Sequence, residues 1–191
     1  MDDIILKRLA RLESIKEIES LAFLYCRAMD EHGVAILRRI FAPEGCVTFA
    51  NGQMPKSTGS GAGATDGVDG VVAMYKDFWT QLGPTYHWMH GHQIDFDAAD
   101  ENKATGLVTG HAETYRNGEV HITALRYNDR YRRHDGYWMF AERRISFLYF
   151  CKASEYGQIL NRKNRVTVYG DERPADWPEC YESWTNYLEK S

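Results

Sequence analysis

Two short stretches constrain this chain more than any others: "RNGE", holding Asn117-Gly118, and "HDGY", holding Asp135-Gly136. Asn-Gly and Asp-Gly take the positive φ angles that a two-residue hairpin turn needs, so each reads as a hairpin tip. The flanking runs, roughly 104–116, 119–133 and 137–150, are rich in Thr, Val, Ile, Tyr and Phe. A fourth strand-like run covers roughly 86–97. Hairpins that share a strand force antiparallel order, so the second half of the chain is predicted to be an antiparallel meander.

The first part has a different period. Ile5, Leu9, Leu12, Ile15, Ile18, Ala22, Tyr25 and Met29 recur every three or four residues, the stripe of one amphipathic helix. "SIKE" (Ser14 to Glu17) fits a capping box, which predicts a break or restart at Ser14. "VAILRRIF" (34–41) reads as a short helix and "CVTFA" (46–50) as a short strand. Residues 51–67, rich in Gly, Ser and Thr, read as a long loop. A third helix is expected over about 67–82, capped by Thr65 or Asp66. Helices followed by a curling antiparallel sheet give an α+β domain. Helices closed over the concave face of such a sheet make a cone with one mouth, suited to a small molecule. This domain is expected to span residues 1–151. Residues 152–191 are expected to be an extension, partly helical at its start, packing on the domain or at a subunit interface.

Composition removes several function classes. Net charge is −4 with the two signs mixed, so no basic footprint for nucleic acid exists. No apolar run approaches the roughly 18 residues of a membrane span. The acidic, amphipathic start has no signal-peptide pattern, and the four cysteines lie scattered, which predicts a cytoplasmic protein with free thiols. No GxGxxG, GxxxxGK[ST] or GxSxG pattern sits in the required context, so neither a nucleotide cofactor nor a serine nucleophile is expected. Aromatics at 13% fit either a well-filled core or a pocket for a ring-bearing ligand.

"TYHWMHGHQI" (85–94) holds three of the seven histidines, His87, His90 and His92. A metal site needs three or four convergent ligands. Strict alternation puts His90 and His92 on one strand face, with His87, Asp95 and Asp97 on the other. No metal is therefore expected.

"IKEIESLAFLYCRAMDEHGVAILRRIFAPEGCVTF", "HWMHGHQIDF" and "RYNDRYRRHDGYWMFAERR", taken in that order, resemble the SnoaL-like branch of the NTF2-like superfamily over about residues 10 to 150. That branch includes scytalone dehydratase, bile-acid 7α-dehydratases and hexachlorocyclohexane dehydrochlorinase. The resemblance implies a cone fold and an Asp–His dyad made here by Asp30 and His87, with Tyr25 as a third catalytic group. It also shows departures. Phe49 stands where scytalone dehydratase has a Tyr. Ala112 to Thr114 carry no ionisable match to the family's second acid–base group, although His111 and Glu113 flank that position. Phe147 stands where the bile-acid enzymes carry an Arg.

Strand parity, aligned on the same resemblance, turns His121, Thr123, Leu125 and Tyr127 toward the pocket and Arg126 and Arg130 away. In the last strand it turns Tyr137, Met139, Ala141, Arg143, Ile145 and Phe147 inward. His121, Tyr127, Arg143, Phe49 and Phe147 are therefore expected to contact substrate. Arg143, a cation in an apolar setting, must be paired with Asp30, Glu113 or a substrate anion. The function implied is a cofactor-independent lyase acting on an apolar aromatic or polycyclic oxygenated molecule. It would either eliminate water or release a fragment such as formaldehyde. Alternatives are an isomerase like the ketosteroid isomerases, with Asp95 or Glu113 as base, or a non-catalytic module such as a ring-hydroxylating dioxygenase β subunit. The resemblance also implies a homodimer or homotrimer.

Overall fold

The computed structural model describes residues 2–50 and 64–188. Of the loop expected over 51–67, residues 51–63 lie outside the described residues. The elements run α1 (Asp2–Asp30), α2 (Val34–Ile40), β1 (Phe41–Phe49), α3 (Gly67–Trp79), β2 (Leu82–Phe96), β3 (Lys103–Arg116), β4 (Glu119–His134) and β5 (Tyr137–Lys152). A 3-10 helix (Ala153–Asn161), β6 (Asn164–Val166), β7 (Arg173–Pro174) and α4 (Glu182–Leu188) follow.

The two hairpins form where the turns predict them. Asn117 and Gly118 have φ of 53° and 83°, and Asp135 and Gly136 have 49° and 86°. Both tips thus place two consecutive residues in the left-handed region, the signature of a tight primed turn. Strands β2 to β5 pair antiparallel in sequence order. The sheet as a whole is mixed rather than purely antiparallel. β1 and β6 both lie parallel to β5, β1 along Phe140–Ile145 and β6 at Phe150. The result is an unclosed, curved sheet of seven strands with helices over one face.

The first helix runs unbroken for 29 residues, roughly 44 Å. Ser14 does not restart it, because its hydroxyl donates back to the Ala10 carbonyl at 2.8 Å and accepts from Arg133 Nη2 at 2.9 Å. A serine bonded to the preceding turn leaves the helical ladder intact. Only the second half of the stripe is buried. Ile18, Leu21, Ala22, Tyr25 and Met29 join the core, while Ile5, Leu9 and Leu12 are exposed. At α3, Asp66 holds the N-cap position without a side-chain cap, and Thr65 Oγ1 instead accepts the backbone N–H of Val47 at 2.9 Å.

Bulges decide which side chains face inward. The β2–β3 register skips at His90, and the β4–β5 register skips at Ala141 and at Leu148. Each extra residue flips the parity beyond it. Along β5, Arg143, Ile145 and Phe147 are buried as parity predicts, but Trp138 and Phe140 take the inward places assigned to Tyr137 and Met139. In β2, His90 is the extra residue, so His92 falls on the same side as His87 rather than beside His90.

Residues after β5 stay in contact with the sheet. Arg165, 3% exposed, donates to the Leu148 carbonyl at 2.7 Å and to Glu179 at 2.9 Å. Asp176 Oδ2 accepts the Phe147 backbone N–H at 2.7 Å.

Candidate active site

The last turn of α1 reaches the middle of β2, 57 residues later in the chain. There Asp30 Oδ1 lies 2.7 Å from His87 Nδ1, and Asp30 Oδ2 accepts the His87 backbone N–H at 3.2 Å. Both side chains are 15% exposed. A carboxylate holding Nδ1–H fixes the tautomer and leaves the Nε2 lone pair free. His87 forms part of the wall of a cavity of about 120 Å³ between α1, α3 and the concave face of the sheet. Asp30 sits behind it.

The cavity wall is mostly apolar. Met29, Phe78, Trp79, Leu125 and Val168 contribute, as do Phe49 and Phe147, whose rings lie 6.4 Å apart. Tyr25 reaches it too, with its hydroxyl bonded to that of Tyr75 from α3. Two phenols bonded to each other share one hydrogen and leave the second free to donate. Burial holds both hydroxyls well above the usual phenol range, so they remain donors. Nothing in the sequence singled out Tyr75. It reads as a core residue of the α3 stripe, and only the contact with Tyr25 distinguishes it.

Three residues expected at the substrate lie elsewhere. Arg143 is fully buried beneath the cavity floor. Its Nε and Nη2 donate to the two oxygens of Asp129 at 2.9 and 2.7 Å, and the rings of Tyr25, Tyr127 and Phe140 surround its guanidinium at 4.1 to 4.3 Å. A cation at that depth persists because it has a bidentate carboxylate and ring faces. Its partner is thus Asp129, not Asp30, Glu113 or a ligand. Tyr127 packs edge-on against Tyr25 at 5.5 Å and does not reach the cavity. His121 is buried against the Phe150 ring at 5.7 Å, also outside the lining. Parity was right for Tyr127 and His121. Depth was not, because neighbouring rings cover both.

The three histidines of "TYHWMHGHQI" have three settings. His87 meets Asp30. His90 bulges outward against His111, whose ring also stacks on Trp88 at 4.7 Å. His92 turns inward, and its Nε2 lies 2.9 Å from the Tyr131 hydroxyl, which donates to Asp129 Oδ2 at 2.8 Å. Gly106 leaves room for this arrangement, since a Cβ there would fall 2.8 Å from the Tyr131 ring. His92 therefore belongs to the Arg143–Asp129 network. Desolvation lowers its pKa below the ordinary histidine value.

Comparison with known proteins agrees with this geometry at the level of fold. LinA matches with a TM-score of 0.64 and 21% identity over 81% of this chain and 95% of that one. Hexachlorocyclohexane dehydrochlorinase LinA-type3 from Novosphingobium barchaimii LL02 matches at 0.63 and 18%, over 78% and 94%. A candidate scytalone dehydratase from Novosphingobium aromaticivorans DSM 12444 matches at 0.62 and 21%, over 73% and 87%. No curated protein sequence matches. The SnoaL-like domain family matches residues 10–144. That stretch holds α1 from its third turn, most of the cavity wall and both members of the Asp30–His87 pair, and the chain belongs to the SnoaL-like family.

Proposed function

We propose that this protein is a cofactor-independent lyase that uses His87 as base on an apolar, ring-bearing, oxygenated small molecule. The observation that carries the reading is the 2.7 Å contact between Asp30 Oδ1 and His87 Nδ1 at the wall of an apolar cavity. His87 Nε2 takes a proton from carbon, the C–H electron pair becomes the new double bond, and the leaving group departs with its own bonding pair. For a hydroxyl leaving group the imidazolium returns the proton and water is released. Asp30 holds the ring in place and stabilises its charged form between the two transfers. The spare hydrogen of the Tyr25–Tyr75 pair donates to the substrate oxygen that gains charge. The same base could take a hydroxymethyl O–H proton instead. The C=O of formaldehyde then forms as the C–C bond breaks, and the proton returns to the carbon left behind.

The names of the dehydrochlorinase and scytalone dehydratase structures support an elimination. An isomerase with a sheet carboxylate as base fits less well, because Asp95 and Glu113, its two candidates, are both exposed. The test is turnover of a panel of aryl compounds bearing a β-hydroxyl or hydroxymethyl group. With a substrate in hand, His87→Ala is expected to lower kcat by on the order of 10²- to 10⁴-fold, and Asp30→Asn by a smaller factor. Retention of most activity by both folded variants would reject the dyad.

A further inference from the structure

Two polar groups in the cavity wall have no partner. Thr114 Oγ1 and Arg116 Nε are both buried without a hydrogen bond among the described residues. They lie two residues apart on β3, so both point to the same face, and Ala112, one step further back, pairs with His87. The other wall hydroxyls are bonded within the protein, while His87 Nε2 and the spare hydrogen of the Tyr25–Tyr75 pair are the groups the proposed reaction uses. Thr123 Oγ1 donates to the Tyr149 carbonyl at 2.7 Å, Thr85 Oγ1 donates to the Glu113 carbonyl at 3.1 Å, and Tyr25 and Tyr75 bond each other.

Among the described residues Arg116 also lacks a counter-charge. Its other nitrogens make long contacts with neutral acceptors only, Nη1 with the Val168 carbonyl at 3.4 Å and Nη2 with Gln81 Oε1 at 3.3 Å. The carboxylate opposite it in the β3–β4 register, Glu119, is held by Lys152 at 2.8 Å. Desolvation alone lowers the Arg116 pKa, with no nearby carboxylate raising it again. A half-buried cation without an anion, beside an orphaned hydroxyl in an apolar wall, is an unmet demand for negative charge.

We propose that Arg116 and Thr114 form an anion subsite that binds a carboxylate or phenolate oxygen of the substrate, with Arg116 Nε–H and the Thr114 hydroxyl as donors. The inference rests on reading the His87 cavity as the reaction site. It adds the substrate class: an apolar ring body carrying an anionic oxygen at the end remote from the reacting carbon. The subsite lies some way from the base. Arg116 is four residues beyond Ala112, roughly 13 Å along the strand, so the charged end and the reacting carbon stand on opposite sides of the ring body.

The test is binding, which needs no turnover. Benzoate, its neutral isostere benzamide, and 4-nitrophenolate with neutral 4-nitroanisole are titrated calorimetrically into the full chain and into Arg116→Met, Arg116→Gln, Thr114→Val and His87→Ala. The wild type is expected to prefer an anion over its neutral counterpart by about 10- to 100-fold, the range of a charge-assisted hydrogen bond. Both Arg116 variants should abolish the preference, Thr114→Val should reduce it several-fold, and His87→Ala should leave it intact. Preference for benzoate assigns a carboxylate, and preference for 4-nitrophenolate a phenolate. Either supports the subsite. Equal affinity for charged and neutral ligands in the wild type overturns it, as does a preference that survives in a folded Arg116→Gln variant. An inactive dyad would leave this result unchanged, so the lyase reading and the subsite fail separately.

Discussion

The concave face of the sheet carries two arginines with opposite fates. Arg143 sits at its deep end with both oxygens of Asp129, three aromatic rings and, through Tyr131, a link to His92. Arg116 sits at the end of β3 beside the cavity, with no carboxylate and one buried nitrogen unbonded. Arg143 is fully buried and Arg116 is half-buried. They differ further in whether the fold supplies the counter-charge. Arg143 also keeps one nitrogen, Nη1, unbonded, so the counter-charge is the difference: a cation paired with a carboxylate rigidifies its region, whereas one without leaves a demand that a ligand can meet. In this fold the cavity wall takes in the arginine without a carboxylate, and the paired arginine lies outside it.

Predictions that break this contrast can be ordered by size. Arg143→Met leaves Asp129 buried and unpaired, and is expected to cost about 3–5 kcal/mol in urea denaturation. Replacing both partners, Arg143→Met with Asp129→Leu, should cost clearly less than the single change, because no lone buried charge remains. A double variant as unstable as the single one would show that the pair is valued for packing instead. Two of the wall threonines should then respond in opposite senses. Thr123→Val removes a made hydrogen bond and should destabilise by about 1 kcal/mol, while Thr114→Val removes an orphaned hydroxyl and should be neutral or stabilising without ligand. Equal losses at both positions would mean that Thr114 is satisfied after all.

The smallest effect is a pH slope. His92 has a folded pKa below its unfolded value, so between those two values the unfolded chain binds the extra proton. Stability from this group is present above the ordinary histidine pKa and falls as pH drops below it, levelling off once the folded pKa is passed. His92→Gln should flatten that part of the stability–pH curve by up to one proton. An unchanged slope would place the acid sensitivity elsewhere.

Much of the architecture was legible in particular residues. Asn117-Gly118 and Asp135-Gly136 determined both hairpins, because few other pairs tolerate two consecutive positive φ angles. The 3.6-residue stripe determined the first helix, although it could not tell that Ile5, Leu9 and Leu12 would meet no core. The pairing of Asp30 with His87 was legible only through resemblance to a family, since no local rule joins residues 57 apart.

What the sequence determined by itself was therefore the local: turns, periods and the order of elements, all set by backbone sterics and side-chain alternation within a few residues. Tertiary structure decided the rest. One bulged residue at His90 moved His92 from the outer face to the buried network, and one at Ala141 exchanged Tyr137 and Met139 for Trp138 and Phe140. Bulges depend on how strands curve to fit helices packed across them. Charge pairing depends on which side chains that curvature brings together. Arg143 meets Asp129 directly opposite on the neighbouring strand, in a register set by the bulge at Ala141, and Arg116 meets only neutral acceptors among the described residues, a difference that sequence spacing alone does not encode.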